Sequence, residues 1–225
     1  MSDTPKAILF GAIGTLTETS DMQRRAFNAA FRDAGLDWAW GREQYLELLK
    51  APGGAARVRD YAEAKGVEVD AEAIHRAKEA HFRALAEKEG LELRPGVSDV
   101  IARARELGVK LGFVTTTGPD TVDLILEGLS DAINRRDFAY ISDRDMVTEG
   151  KPSAEVYRLA LAHLGLSAAD VVAIEDTPES AKSPVAARIP CIGFPGEAAR
   201  GRIFPDAVLH VVDRLEPVFC GISAS

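Results

Sequence analysis

Ala7-Ile8-Leu9-Phe10-Gly11-Ala12-Ile13-Gly14-Thr15-Leu16 decides the fold of this 225-residue chain. An apolar run of strand type ends abruptly at Gly11, and a second glycine follows at Gly14. A buried strand breaking into such a turn is how the first strand of an open α/β sheet presents a loop at its carboxyl end, where ligands bind. A dinucleotide fingerprint would need a third glycine, and a Walker loop would need Gly-Lys-Ser/Thr; neither follows Gly14. A tight turn without a site is the plain alternative, and motifs elsewhere in the chain argue against it.

Outward from this stretch the chain changes rhythm twice. Lys6 to Phe10 is strand one, and a helical block of residues 17–89 follows. Ala26, Phe27, Ala30 and Phe31 recur at helical spacing before Gly35. Further helices are predicted over Arg42–Leu49, around Val58, Tyr61 and Ala62 up to Gly66, and after Asp70, a good N-cap, through Ala77 and Leu85. Beyond Pro95-Gly96, helix and strand alternate. Strands are predicted at Lys110–Val114, Phe138–Ile141, Val171–Ile174, Cys191–Phe194 and Val208–Val212. Helices are predicted at Val97–Leu107, from Asp120, at Ser153–Leu164 and up to Ala187. The fold class is therefore α/β: a Rossmann-like parallel sheet core from residues 1–16 and 90–225, with an all-helical domain inserted at 17–89.

Composition narrows the function classes. The chain is 46% hydrophobic and 28% charged, ordinary for a globular protein, and carries a net charge of -8. That sign argues against nucleic acid and anionic membranes as partners. No export signal or spanning apolar run is read, so a cytoplasmic monomer is expected. Cys191 and Cys220 give neither a disulfide framework nor a metal spacing, and His75 and His81, six apart, do not share a helix face.

Three further segments carry polar groups where strands end: Thr115-Thr116, then Gly150-Lys151-Pro152-Ser153-Ala154-Glu155-Val156-Tyr157, and Ile174-Glu175-Asp176-Thr177-Pro178. With the opening stretch, they resemble the motifs of the haloacid dehalogenase superfamily. Arg25 to Phe31, Gly35-Leu36-Asp37-Trp38, Tyr45 to Leu49 and Gly53-Gly54 resemble the helical cap of its β-phosphoglucomutase-like branch, nearest the sugar-bisphosphate phosphatases.

The resemblance implies a specific site with specific losses. In the family the opening strand runs into Asp-x-Asp-Gly-Thr-Leu, the first Asp being the nucleophile and the second the general acid/base. Here those positions read Gly11 and Ile13. Glycine has no group to attack with, and isoleucine cannot carry a proton. The family's threonine that holds phosphate falls on Thr115, with Thr116 beside it, and its cation on Lys151. Its Mg²⁺-binding acids fall on Glu175 and Asp176, and the carbonyl at Ile13 is the further ligand. With the nucleophile carboxylate gone, weak or absent Mg²⁺ binding is expected. Pro52-Gly53-Gly54-Ala55 lacks the family's cap lysine, leaving Arg57 as the anion ligand there. Ser180 and Arg188 stand where the family has glycines, and Pro184 is expected to interrupt the last long helix. Trp38, Trp40, Phe27 and Phe31 read as packing, and Ile13 as filling the volume of an Asp and its water.

The expected function is a phosphatase-type scaffold, catalytically inactive, that binds a small phosphorylated sugar or anion, or a partner protein of unspecified kind. The alternatives are a hydrolase using Thr15, Thr17 or Thr115 as nucleophile, and a pure interaction scaffold. Lys151, stripped of its usual partners, is expected to lean on Glu175 or Asp176. An anion would be assisted by Thr115 and by the backbone N–H groups of the Ala12–Gly14 turn.

Overall fold

The computed structural model describes residues 4–11, 13–51 and 53–222; Ala12 and Pro52, both part of motifs read above, lie outside them. The chain divides into two compact units, Met1–Glu18 with Leu91–Ser225, and Thr19–Gly90. In chain order the elements are β1 (Ala7–Phe10), α1 (Ile13–Leu16), α2 (Ser20–Asp33), α3 (Arg42–Leu48), α4 (Gly54–Lys65), α5 (Ala71–Glu89) and α6 (Val97–Glu106). Then come β2 (Lys110–Val114), α7 (Pro119–Gly128), β3 (Phe138–Ser142), α8 (Glu155–Leu164), β4 (Val171–Glu175), α9 (Pro178–Ala186), β5 (Cys191–Gly193) and β6 (Val208–Val211).

The first unit is a six-stranded sheet in the order β3-β2-β1-β4-β5-β6, every neighbouring pair parallel. This is the Rossmann-like architecture the alternation predicts. β1 sits between β2 and β4, with Ala7 in register with both Lys110 and Val171. A central parallel strand is covered on both faces, which is why its sequence is a continuous apolar run. All four of its residues are fully buried. The consequence for the site is positional: the residues that follow β1, β2 and β4 emerge side by side.

The second unit is helical. Phe27, Phe31, Trp38, Trp40 and Tyr45 form its aromatic core, Trp40 lying 4.9 Å from Phe27 and 4.7 Å from Phe31 between ring centroids. The expected packing role of both tryptophans holds, and such pairs add to the area they bury. Asp70 caps α5 by accepting from the Ala73 amide at 2.9 Å, and α4 ends at Gly66 in the left-handed conformation.

Two departures from the sequence reading concern α9. Pro184 does not interrupt it; the helix continues to Ala186. The proline falls in the last turn, where the missing N–H costs only one ladder bond, and the helix is fixed at its start by a Thr177–Ser180 capping box. The Ser183 hydroxyl beside it donates to the Ser153 carbonyl at 2.5 Å. Just past the helix, Arg188 is the only non-glycine with positive φ among the described residues, at 60°. This is the position where the resemblance places a glycine, and a Cβ there is strained. Replacing Arg188→Gly should therefore raise stability by about 1 kcal/mol, read as a higher urea midpoint at unchanged m-value. A lower midpoint would show that the arginine side chain contributes more than the backbone strain costs.

Candidate functional site

The loops after β1, β2 and β4 converge on one ammonium. Lys151 Nζ donates to the carbonyl of Gly11, to the carbonyl of Val114 at 2.8 Å and to Glu175 Oε1 at 2.6 Å. Its side chain is 9% exposed and that of Glu175 0%. The Tyr157 hydroxyl, from the first turn of α8, donates to the same Glu175 oxygen at 2.6 Å. Of the two acids that Lys151 was expected to approach, the structure pairs it with Glu175. Three acceptors use all three ammonium donors. A charge pair this deep is held by its hydrogen bonds, since desolvation otherwise offsets the attraction.

The absent side chain at position 11 explains how the pair is seated. A Cβ built on Gly11 would lie 2.2 Å from the Glu175 carboxyl carbon and 2.3 Å from the Tyr157 hydroxyl. Glu175 and Tyr157 thus occupy the space that a side chain at position 11 would claim. Ile13 is half-buried at the start of α1, and its carbonyl accepts the Thr17 amide at 2.9 Å.

Asp176 stands apart from the pair. It lies close against the loop, with Oδ2 2.0 Å from where a Gly14 Cβ would sit, and its Oδ1 accepts from the Ser180 hydroxyl at 3.4 Å. Burial, then the neighbouring Glu175 carboxylate, push its pKa up to about 6, against the pull of Lys151 and Arg94. Arg94 was not singled out from the sequence. It donates to the carbonyls of Gly14 at 2.5 Å, Phe194 at 2.9 Å and Pro195 at 2.7 Å, and stacks 3.4 Å from the Phe194 ring centroid. It clamps the loop after β1 to the segment after β5. Nothing in its spacing announces this, because the acceptors are backbone carbonyls far away in sequence.

The threonines divide. Thr115 is buried, and its hydroxyl is tied into its own loop, donating to Thr117 Oγ1 at 3.0 Å and accepting the Thr117 amide at 3.2 Å. Thr116 is half-buried beside Gly150. Thr15 and Thr17 are 0% and 2% exposed, which removes them as accessible nucleophiles. In the helical unit Arg57 is buried, and its guanidinium donates to the carbonyls of Leu48 at 2.9 Å and Ala51 at 2.8 Å. It braces that loop, a role that the sequence reading, which held it for an anion, did not include. A second buried cation there, Lys78, was missed. It pairs with Glu79 at 2.8 Å and lies over the rings of Phe27 and Phe82. The signal was available: Ala71, Ile74, Lys78, Phe82 and Ala86 mark one buried helical stripe.

The donor set does not fit Mg²⁺, which the resemblance implies. Mg²⁺ takes near-octahedral oxygen ligands. Gly11 offers no carboxylate, the Ile13 carbonyl accepts the Thr17 amide, and Glu175 Oε1 is committed to Lys151 and Tyr157. Asp176 is left alone, and no group of three or more His, Cys, Asp or Glu side chains is placed for a metal among the described residues.

The raised pKa of Asp176 has a sign that can be tested. Its folded-state value lies above its ordinary 3.8. Asp176 therefore favours the folded state most at low pH, and that contribution is lost as pH rises through about 6. Asp176→Asn should remove this loss and make the protein more stable than the parent at neutral pH, by up to about 3 kcal/mol. Denaturant unfolding at acid and neutral pH checks it; an asparagine variant that is less stable at neutral pH would mean the carboxylate is held charged by its neighbours.

Residues 5–188 match the family model described as haloacid dehalogenase-like hydrolase. Protein CbbY from Cereibacter sphaeroides is 40% identical over 205 residues, 90% of this chain and 89% of that protein. The crystal structure of CbbY from Rhodobacter sphaeroides in complex with phosphate superposes with a TM-score of 0.84 at 36% identity, covering 94% of this chain and 95% of that one. A mutant of the same protein in complex with xylulose-(1,5)bisphosphate gives 0.81 at the same identity and coverage. The sheet order, the converging strand ends and these likenesses agree, and the chain belongs to the haloacid dehalogenase-like hydrolase family.

Proposed function

We propose that this chain is a catalytically silent relative of the sugar-phosphate phosphatases, one that binds a small phosphorylated sugar or similar anion and does not turn it over. The observation that carries the reading is at Gly11. Phosphoryl transfer in this family needs a carboxylate on that residue, and here its space is taken by Glu175 and Tyr157. A second loss compounds the first. Ile13 can neither deliver nor accept the proton that hydrolysis requires. The buried Thr15, Thr17 and Thr115 offer no replacement nucleophile, and the Thr115 hydroxyl is bonded within its own loop.

Binding is supported from a different direction. Thr115 and Lys151 are the residues on which the resemblance puts phosphate ligands, and Thr116, half-buried just past β2, stands beside them. The relatives' structures hold phosphate and xylulose-(1,5)bisphosphate, which sets the class of ligand to try. Arg57 enters as a brace of its loop and not as a direct contact. No resident metal belongs to this reading. Among the described residues no helix is long and apolar enough to cross a membrane.

The test combines turnover and binding on the same sample. Purified protein with a panel of sugar mono- and bisphosphates should raise its melting temperature with one of them and release no phosphate in proportion to protein added. Release that scales with protein and persists through further purification would overturn the silence. Absence of any melting shift across the panel would overturn the binding half and favour an interaction scaffold.

A further inference from the structure

The two edges of the sheet are unlike. At one edge, Phe138, Tyr140 and Ser142 of β3 are buried. At the other, β6 leaves Leu209 56% and Val211 54% exposed, with His210 exposed between them. Among the described residues β6 pairs with β5 alone. Sheet edges are normally blunted by charges, a proline or a cover, because their free N–H and C=O groups invite another strand. From Ala207 to Val212 there is no acid, lysine, arginine or proline.

The ladder fixes which backbone groups are free, and they are self-complementary. Val212 donates its amide inward, to the Gly193 carbonyl at 2.9 Å. Direction alternates along a strand, so His210 also turns inward, and Leu209 and Val211 turn their N–H and C=O groups outward. Antiparallel strands exchange both bonds only between residues that both face outward. A two-fold axis at His210 sets Leu209 of one copy opposite Val211 of the other, and the reverse, and so uses every outward group of both. An axis at Leu209 or Val211 would set the other residue against Ala207 or Asp213, outside the strand. Side chains select the same register. Leu209 and Val211 become cross-strand apolar pairs. Asp206 and Arg214 lie four residues to either side of His210, so each Asp206 comes to the end where the second copy carries Arg214. Both are exposed, and the bond of Arg214 to Asp99, at 3.1 Å, is itself exposed and weak. Apolar surface borders the strand on both faces. Phe204 and Val211 share one face, each within 3.2 Å of a Cβ built on Gly193, and Ile203 beside Phe204 is 90% exposed. On the other, the His210 ring lies 5.8 Å from that of Phe219, whose neighbour Val218 is exposed.

We propose that β6 is the docking edge for a second copy of this chain, paired antiparallel about a two-fold axis at His210, so that the two sheets run on as one. The occupant is a copy of the chain because the edge complements itself in hydrogen-bond direction, in its apolar pairs and in the charges at its ends, as an isologous contact requires. Main-chain bonds supply the adhesion and the flanking Ile203 and Val218 the apolar area. The sequence led to the expectation of a monomer; the bare edge supports a dimer instead. The inference is independent of whether the site at the strand ends binds a ligand.

Sedimentation equilibrium of the full chain from low micromolar to near-millimolar concentration, with amide hydrogen exchange read residue by residue on the same samples, tests this. The mass should rise toward twice that of one chain. The amides of Leu209 and Val211 should gain protection as the protein is concentrated, while that of Val212, already bonded to Gly193, should not change. Val211→Lys places two like charges in the interface and should weaken association by about tenfold or more. Asp206→Arg should weaken it less, and adding Arg214→Asp should restore it. Should Val211→Lys fail to fold, these charge reversals decide: restoration supports the register, and a double variant no tighter than the single one overturns it. A one-chain mass at every concentration, an association that Val211→Lys leaves unchanged, or Leu209 and Val211 amides that exchange freely in the concentrated sample would each overturn the proposal.

Discussion

A buried carboxylate needs a counter-charge, and around Glu175 that need organises everything else at the end of the sheet. Its side chain is fully buried at the last residue of β4, and water cannot neutralise it there. Lys151 and Tyr157 supply the compensation, and both lie on the segment that precedes and begins α8. The same ammonium also ties down the carbonyls of Gly11 and Val114. One charge pair therefore pins together the ends of β1, β2 and β4. Breaking such a pair from one side strands the remaining charge and costs about 3–5 kcal/mol. The constraint is structural as much as it is chemical, which gives Lys151, Glu175 and Tyr157 a physical reason to be present whatever chemistry the site performs.

Gly11 is what makes this closed arrangement possible. With any side chain at that position, Glu175 and Tyr157 would have to move aside, because the first carbon alone would come within 2.3 Å of both. The missing side chain is thus the condition for the pair that fills its place. Arg94 adds a second restraint, binding the carbonyl of Gly14 on one side and those of Phe194 and Pro195 on the other. The loop after β1 is held by Lys151 at the Gly11 carbonyl and by Arg94 at the Gly14 carbonyl.

How far the sequence carried this reading depended on the range of the interaction. The sheet was legible because the buried strands Ala7–Phe10 and Lys110–Val114 are apolar runs bounded by breakers, a local signal. The capping by Asp70 and the stop at Gly66 were legible for the same reason. The residues at the strand ends were identified by motif, and the approach of Lys151 to an acid followed from charge alone. The choice of Glu175 over Asp176 was not legible, since it depends on which carboxylate points toward the vacated space beside Gly11. Arg94 escaped because backbone carbonyls leave no trace in sequence. Arg57 was held for an anion because the resemblance leaves it as the cation of a loop without its lysine, and the structure sets its guanidinium on the carbonyls of Leu48 and Ala51. Pro184 was given too much weight, since a proline in a final turn disturbs little.

Whether Glu175 is a counter-ion or a displaced nucleophile is the point on which catalytic silence turns, since it is the carboxylate nearest the position that Gly11 has vacated. The most direct measurement is intact-protein mass spectrometry, followed by peptide mapping, after incubation with a small phosphoryl donor such as acetyl phosphate in the presence and absence of Mg²⁺. A carboxylate held by Lys151 and Tyr157 should take up no phosphoryl group, and the protein mass should remain unchanged under both conditions. A gain of one phosphoryl group mapped to Glu175 would contradict its role as a structural counter-ion and make the protein an enzyme with a relocated nucleophile.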